Sequence, residues 1–306
     1  MINIYTYKKL KWIDLESPTK DEIRSIMEEY RIHPLIADEL INPSLKQKVD
    51  LYKDFIYLIL HFPALKHSHQ KTAGANQEID FVIGKDVIIT SHYDTVDPLH
   101  EFAKIFEVNS ILDKSHIGDH AGFIFYHMMK SIYRASTNEL EAIEDSLKEI
   151  ETQIFAGEER AMVFALSKIS RNLLNFKTTI SLHNDILQSF EAAGKIFFAG
   201  EFEHYLQAIS SEYFKVDKII KSHIEALAEL RETNNSLLST KQNEIMTTLT
   251  VMAFIILPLS FISSLYSMNT SFWPFVGVKN DFWIISGTMA IIGIIIFLAF
   301  KRKRWL

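Results

Sequence analysis

A row of side chains with the chemistry of a pore lining recurs at steps of three and four residues near the C-terminal end of the chain. The row consists of Asn243, Met246, Thr250, Ala253, Leu257, Ser260 and Ser264. This spacing places the side chains on one face of an α-helix. Amide and hydroxyl levels separated by apolar levels are typical of an ion channel with hydrophobic constrictions. Ordinary helix packing, with the hydroxyls bonded to the backbone, explains the spacing equally well.

Two uncharged segments would place this row in a membrane. No charged residue occurs in the 34 positions from Ile245 to Val278 or in the 19 positions from Phe282 to Phe300. A hydrocarbon core about 30 Å thick needs roughly 20 apolar residues as helix. We therefore predict transmembrane helices at residues 247–266 and 282–300. Two buried helices of a soluble protein are the alternative, but such helices normally keep a charged face.

The charge distribution predicts the orientation of these spans. The formal net charge is −6, and Lys301, Arg302, Lys303 and Arg304 supply four positive charges, so the rest of the chain carries −10. The positive-inside rule places the basic tail, residues 301–306, in the cytoplasm. Residues 1–245 then lie in the cytoplasm too, and only residues 267–281 lie outside. We expect a multi-pass protein of the cell (inner) membrane, with lipid as a partner and both termini cytoplasmic. An acidic body argues against a nucleic-acid partner.

The cytoplasmic part is predicted to be an α+β domain, a mixed β-sheet with helices, that leads into a long helix. Residues 1–125 contain strand-like runs at 55–60, 79–83 and 87–91, and residues 126–200 form an acidic helical hairpin region with a break near Gly157. Residues 201–257 lack Gly and Pro, so a stalk helix is expected from 201 to 266. Its apolar seam begins at Leu206 and reaches Leu230. The seam could close within the chain or against copies of it, and the polar side chains of the first span favour copies.

The chain lacks the usual sequence motifs of enzymes. Cysteine is absent, and so are the glycine-rich phosphate loops and the hydrolase nucleophile motif. We therefore expect neither an enzyme nor a bound cofactor. Twelve histidines leave a transition-metal site open, but scattered surface histidines explain them better because no metal-binding framework accompanies them.

The C-terminal part of the chain resembles the CorA family of divalent-cation channels and transporters. The shared features are Asn-Glu-Ile-Met at 243–246, Leu-Pro-Leu at 257–259, Tyr-Ser-Met-Asn at 266–269 and the terminal basic run. The resemblance implies a funnel-shaped homopentamer in which the first spans line one axial pore. It also implies that Mg²⁺ is carried, with Co²⁺ or Ni²⁺ as further ions, and that cytoplasmic divalent cations gate the pore.

The resemblance also implies the roles of individual residues. Asn269 would form a ring of side-chain carbonyls at the outer mouth, where Tyr266, Ser267 and Met268 complete the signature motif. Such a ring suits Mg²⁺, which keeps its waters. The pore-lining residues implied by the resemblance are Asn243, Met246, Leu249 and Leu257, of which the last three form an apolar gate. The 3–4 spacing adds Thr250 and Ser260 to the predicted lining. The basic run Lys301, Arg302, Lys303 and Arg304 would ring the inner mouth.

Two departures from the family pattern keep alternatives open. Ser267 stands where the family signature has Gly, and the outer loop Thr270–Asn280 contains no carboxylate. One alternative is a transporter of Zn²⁺ or another transition metal, with or without proton coupling. An alternative of another class is a non-conducting oligomeric metal sensor or membrane scaffold.

Overall fold

The computed structural model describes residues 1–44, 46–63, 76–112, 118–198, 202–268 and 280–303. The chain divides into two compact units, Met1–Arg231 and Glu232–Leu306. The helices are α1 (Lys20–Tyr30), α2 (Pro34–Glu39), α3 (Asp97–Leu112), α4 (Ala121–Phe155), α5 (Glu159–Ile180), α6 (His183–Phe198), α7 (Glu203–Tyr266) and α8 (Asp281–Arg302).

A six-stranded mixed sheet forms the centre of the first unit. The strands are β1 (Ile2–Tyr7), β2 (Leu10–Glu16), β3 (Lys48–Leu51), β4 (Ile56–Pro63), β5 (Asn76–Ile83) and β6 (Val87–His92). They lie in the order β1-β2-β6-β5-β4-β3. The β2–β6 pair is parallel and the other pairs are antiparallel. The sequence predicted β4, β5 and β6 but missed the other three strands, because β2 is interrupted by charged residues and β3 has only four residues.

Helices cover both faces of this sheet. On one face, α1 and α2 pack Ile23 and Ile36 against the strand residues Tyr57 and Val82. α1 begins after Thr19, which caps the helix in a capping box with Glu22. The other face of the sheet is covered by α3 and α4. There the Trp12 ring lies 5.4 Å from the ring of Phe102, and Phe81 lies 5.1 Å from Phe125, centroid to centroid.

The seam of the stalk helix is buried inside the chain. Its residues are Leu206, Ile209, Tyr213, Val216 and Ile220, each at most 4% exposed. Leu206 packs against Gly194 of α6, where an added Cβ would come within 2.9 Å of the leucine Cδ1. His223 Nε2 donates to the Leu140 carbonyl oxygen of α4 at 3.0 Å. The interpretation that this seam closes against copies of the chain was therefore wrong, because α4 and α6 already cover it.

A buried histidine marks the turn between α5 and α6. α5 ends at Ile180 and α6 begins at His183. The His183 ring is inaccessible to solvent. Its Nδ1 accepts from the Tyr133 hydroxyl at 2.8 Å, and its Nε2 donates to the His61 carbonyl at 2.8 Å. These two bonds join α4, α6 and β4, so the break in the helix serves to bring this ring into the core.

Acid is expected to destabilise the first unit through His183. Burial lowers the pKa of His183 from its usual 6.5 to about 4. The unfolded chain therefore binds a proton that the folded chain does not, so this contribution to stability is full above pH 6.5 and is lost as the pH falls towards 4. A shift of this size corresponds to roughly 3 kcal/mol. We expect the melting temperature to fall between pH 7.5 and pH 5 by more in the wild type than in His183→Gln. Equal falls in both proteins would contradict this assignment.

Candidate ion pathway

Two helices in the described part of the chain are long and apolar enough to cross a membrane. They are α7, whose most apolar stretch has a mean hydropathy of 2.2, and residues 282–302 of α8, with a mean hydropathy of 2.4. The predicted pair of apolar C-terminal helices is therefore confirmed. Because α7 begins at Glu203 and ends at Tyr266, one helix of 64 residues contains both the buried seam and the first apolar segment.

α8 covers one face of the apolar part of α7. The rings of Phe254 and Phe300 lie 5.9 Å apart. Gly293 of α8 lies beside Leu259 of α7, since a Cβ on it would be in ordinary van der Waals contact with Leu259 Cδ1, at 3.7 Å. Val251 on the same side of α7 is only 1% exposed. This face of α7 is therefore occupied by contacts within the second unit.

The polar and apolar row noted in the sequence lies on the opposite, open face. Met246 is 56% exposed and Leu257 is 67% exposed. The exposed members with small or polar side chains are Asn243, Ala253, Ser260 and Ser264, and Thr250 is half-buried. At 100° per residue, the centre of the row lies about 150° around the helix from the centre of the face that α8 covers. Leu249, also 56% exposed, borders the row. The fold thus brings the predicted pore-lining residues together on one accessible face.

Hydroxyl groups in this region donate to their own helix. Thr250 Oγ1 donates to the Met246 carbonyl at 2.7 Å, and Thr248 Oγ1 donates to the Glu244 carbonyl at 3.0 Å. A hydroxyl that has donated its proton still has lone pairs that accept hydrogen bonds. The Thr250 oxygen can therefore accept from a water molecule without disturbing the helix.

The end of α7 positions the start of the signature motif. Tyr266 is the last helical residue, and the Ser267 amide donates to the carbonyls of Ser263 and Ser264 at 3.1 and 3.2 Å. The Met268 amide continues the turn by donating to Leu265 at 3.2 Å. Ser267 is not among the residues with a positive φ, so a serine is accommodated here without strain. Asn269 and the loop that follows lie outside the described residues.

The end of α8 carries the described part of the basic run. Lys301 and Arg302 lie in its last turn, and Lys303 is its C-cap; all three are exposed. Cations at this end interact favourably with the partial negative charge of the helix terminus. Arg304 lies outside the described residues. Of the predicted basic ring, three members therefore occupy one helix end.

The histidines do not form a metal site in the described part of the chain, where no group of three or more His, Asp or Glu residues could hold a metal ion. His61 Nε2 is 3.0 Å from Glu78 Oε2. His120 caps α4 and stacks on Phe198, with the ring centroids 4.5 Å apart. His67, His69 and His116 lie outside the described residues. These contacts explain His61 and His120. His92, His183 and His223 are buried, so the prediction that the histidines are scattered on the surface was wrong for these three.

These features define a class of protein. A mixed-sheet domain is followed by a helix that continues into an apolar segment, and a second apolar helix leaves one polar and apolar face of the first accessible. This architecture is that of a membrane ion transporter with two C-terminal spans.

Comparison with known proteins identifies the family. Residues 7–302 match the family model for CorA-like Mg²⁺ transporter proteins, and the chain belongs to this family. The cobalt/magnesium transport protein CorA of Thermotoga maritima is 23% identical over 96% of this chain and 83% of its own length. The putative metal ion transporter YfjQ of Bacillus subtilis is 26% identical over 96% of this chain and 89% of its own length. Membership of this family makes the chain a membrane ion transporter and not an enzyme.

A solved structure confirms the fold. The complete structure of the CorA magnesium transporter from Methanocaldococcus jannaschii superposes with a TM-score of 0.84. The match covers 99% of this chain and 94% of that chain at 20% sequence identity. The predicted α+β domain, long helix and two C-terminal apolar helices are thus found together in a known transporter.

Proposed function

We propose that the chain assembles as a homopentamer in the inner membrane and conducts hydrated Mg²⁺ through an axial pore lined by α7. The observation that carries this proposal is the row from Asn243 to Ser264, which stays accessible on the face of α7 opposite α8. In a pentamer, each residue of this row would form one ring around the pore axis, and polar rings would alternate with apolar rings. The relatives named for cobalt and magnesium transport support Mg²⁺ as the principal ion and Co²⁺ as a further one. We keep Ni²⁺ as a third candidate. These relatives do not favour the zinc transporter or the non-conducting scaffold.

The pore would have a polar entrance at each end and an apolar gate between them. Asn243 would form the inner polar ring, and Met246, Leu249 and Leu257 would form the gate. Asn243 and Tyr266 are 23 positions apart, which is about 35 Å of helix and enough to cross the hydrocarbon core. The remaining proposed roles are polar levels at Thr250 and Ser260, an outer mouth of Asn269 with Tyr266, Ser267 and Met268, and an inner basic ring of Lys301, Arg302, Lys303 and Arg304.

The cytoplasmic charge suits a cation pathway. With both termini inside, the acidic part of the chain would face the cytoplasm and raise the local concentration of cations. The membrane potential favours entry of a divalent ion by about 4.6 kcal/mol at 100 mV. We propose that cytoplasmic divalent cations bridge carboxylates of neighbouring subunits and hold the gate closed. A site shared by subunits fits the described residues of one chain, which bring together no cluster able to hold a metal ion.

Ion uptake by the purified protein in liposomes tests this function. We expect saturable Mg²⁺ uptake, driven by an inside-negative potential, that Co²⁺ inhibits by competition. If the protein takes up Zn²⁺ but not Mg²⁺, the transported ion is Zn²⁺ and our assignment of Mg²⁺ is wrong. Absence of flux for every ion, with the pentamer intact by light scattering, would reject the transport function.

Replacing Ser267 with glycine, the residue of the family signature, is expected to have little effect on Mg²⁺ uptake. The Ser267 amide bonds to helix carbonyls and its φ is not in the left-handed region, so the backbone does not require glycine there. We expect Mg²⁺ uptake by Ser267→Gly to stay within about twofold of the wild type, which is less than 0.5 kcal/mol in the barrier. A tenfold change, measured at equal protein per liposome, would mean that the serine side chain itself shapes the outer mouth.

A further inference from the structure

A groove between α4 and α7 concentrates positive charge in an acidic protein. Its volume is about 410 Å³. It is lined by Lys130, Arg134 and Thr137 of α4 and by Glu212, Lys215, Lys218 and Ile219 of α7. Four cations and one carboxylate thus surround one space in a chain that has 38 acidic and 32 basic residues. This distribution is opposite to that of the chain as a whole.

Two rigid helices hold these charges in place. The α4 members are spaced by four and three residues and therefore share one helix face, and Glu212, Lys215 and Ile219 do the same on α7. The helices run side by side in the same direction, since Phe123 meets Tyr205 at a centroid distance of 4.8 Å and Leu140 bonds to His223 further along. The backbones that carry the cations are therefore fixed by the buried core.

Most of the cations in the groove have no carboxylate partner among the described residues. Lys215 Nζ bonds to Glu212 Oε1 at 2.9 Å. Lys130 Nζ lies 6.0 Å above the Tyr126 ring centroid, and neither it nor Arg134 nor Lys218 has an ion pair with a described Asp or Glu. Unpaired like charges repel one another, and a bound anion would remove that repulsion. The charge in the groove therefore favours the binding of an anion.

The size and lining of the groove indicate an organic polyanion. A cavity of this volume is within the range of sites for small organic ligands and is much larger than one phosphate needs. Ile219 and the alkyl stems of the lysines give it apolar walls, while Arg134 offers the planar donor pair that suits phosphate oxygens. We propose that this groove binds a nucleoside triphosphate, with its phosphates held by Lys130, Arg134 and Lys218. The groove shares no residue with the proposed ion pathway, and the proposal does not depend on which ion is transported.

Equilibrium binding of ATP to the full-length protein in lipid-free detergent tests the proposal. EDTA is added so that divalent cations do not bridge ATP to carboxylates. We expect saturable binding to the wild type that weakens at high salt, and competition by tripolyphosphate but not by inorganic phosphate at the same concentration. Arg134→Glu combined with Lys218→Glu should weaken binding at least tenfold. Arg134→Gln combined with Lys218→Gln serves the same purpose if the charge reversal prevents folding.

A matched variant separates the groove from general electrostatics. Arg160→Glu combined with Lys168→Glu makes the same charge change on exposed positions of α5, and it should leave the affinity within about twofold of the wild type. No saturable binding to the wild type, or equal weakening by both double variants, would overturn the proposal. It would also be overturned if the wild type fails to bind and the groove variant alone elutes as a smaller assembly, because the groove would then be a contact between subunits. Because this experiment measures ATP binding, its result is independent of the result of the Mg²⁺ uptake assay.

Discussion

Asn269→Ala is expected to abolish Mg²⁺ uptake. In the proposed outer mouth, the Asn269 carbonyls accept hydrogen bonds from the water shell of the ion, which Mg²⁺ gives up reluctantly. A methyl group cannot accept, so the hydrated ion would lose its partners at the first narrow level of the pore. We expect uptake in liposomes to fall by about 100-fold or to background, which corresponds to about 2.7 kcal/mol in the barrier.

The control for this variant is Asn235→Ala. Asn235 is exposed on α7, well before the row that we place in the pore, so its loss should leave uptake unchanged. Both variants should keep the oligomeric state of the wild type by light scattering. If Asn269→Ala takes up Mg²⁺ as fast as Asn235→Ala, the outer mouth does not depend on this amide and our assignment of Asn269 fails.

Met246→Asn is expected to open the gate. We place Met246 at the inner apolar constriction, which would block ions because water does not fill a narrow apolar passage. A shorter, polar side chain would let water enter and would lower the barrier. We expect Mg²⁺ uptake at high internal Mg²⁺, when the wild type is closed, to rise about tenfold, the change that 1.4 kcal/mol produces.

Met252 provides a matched control for the gate. The two methionines are exposed to the same degree, 56% for Met246 and 54% for Met252. Six residues separate them, so their side chains point about 120° apart around α7. Met252→Asn makes the same chemical change away from the proposed pore face and should leave the closed-state uptake at the wild-type level. An equal rise in both variants would show that polar residues merely loosen the helix, and would remove Met246 from the gate.

The periodic signals of the chain predicted its helices and its apolar spans. The 3–4 spacing from Asn243 to Ser264 and the uncharged runs depend only on local geometry and on transfer from water to lipid. For this reason the two long apolar helices could be predicted before the structure was known, and so could the grouping of this row on one face of α7.

Features that depend on long-range packing were missed. The seam from Leu206 to Ile220 has the same spacing whether its partner is α4 and α6 or another subunit, so the sequence alone could not decide between them. The basic groove joins Arg134 with Lys218, which are 84 positions apart and lie within an otherwise acidic region. The negative net charge of the chain gave no sign of these cations. They come together only because α4 and α7 pack side by side in parallel. The break before His183 has its cause in bonds to Tyr133 and His61, which lie 50 and 122 positions away in the chain.

The central claim is that one face of α7 lines the ion pathway, and cysteine substitution along that helix tests it most directly. The chain contains no cysteine, so single substitutions from 243 to 264 have no background. After treatment with a charged thiol reagent, Mg²⁺ uptake in liposomes should be blocked at 243, 246, 250, 253, 257 and 260. It should persist at 251, 255 and 258, on the side that α8 covers. The account would be contradicted if the reagent blocked uptake at 251, 255 and 258 but not at the first six positions. It would also be contradicted if the blocked positions showed no helical periodicity.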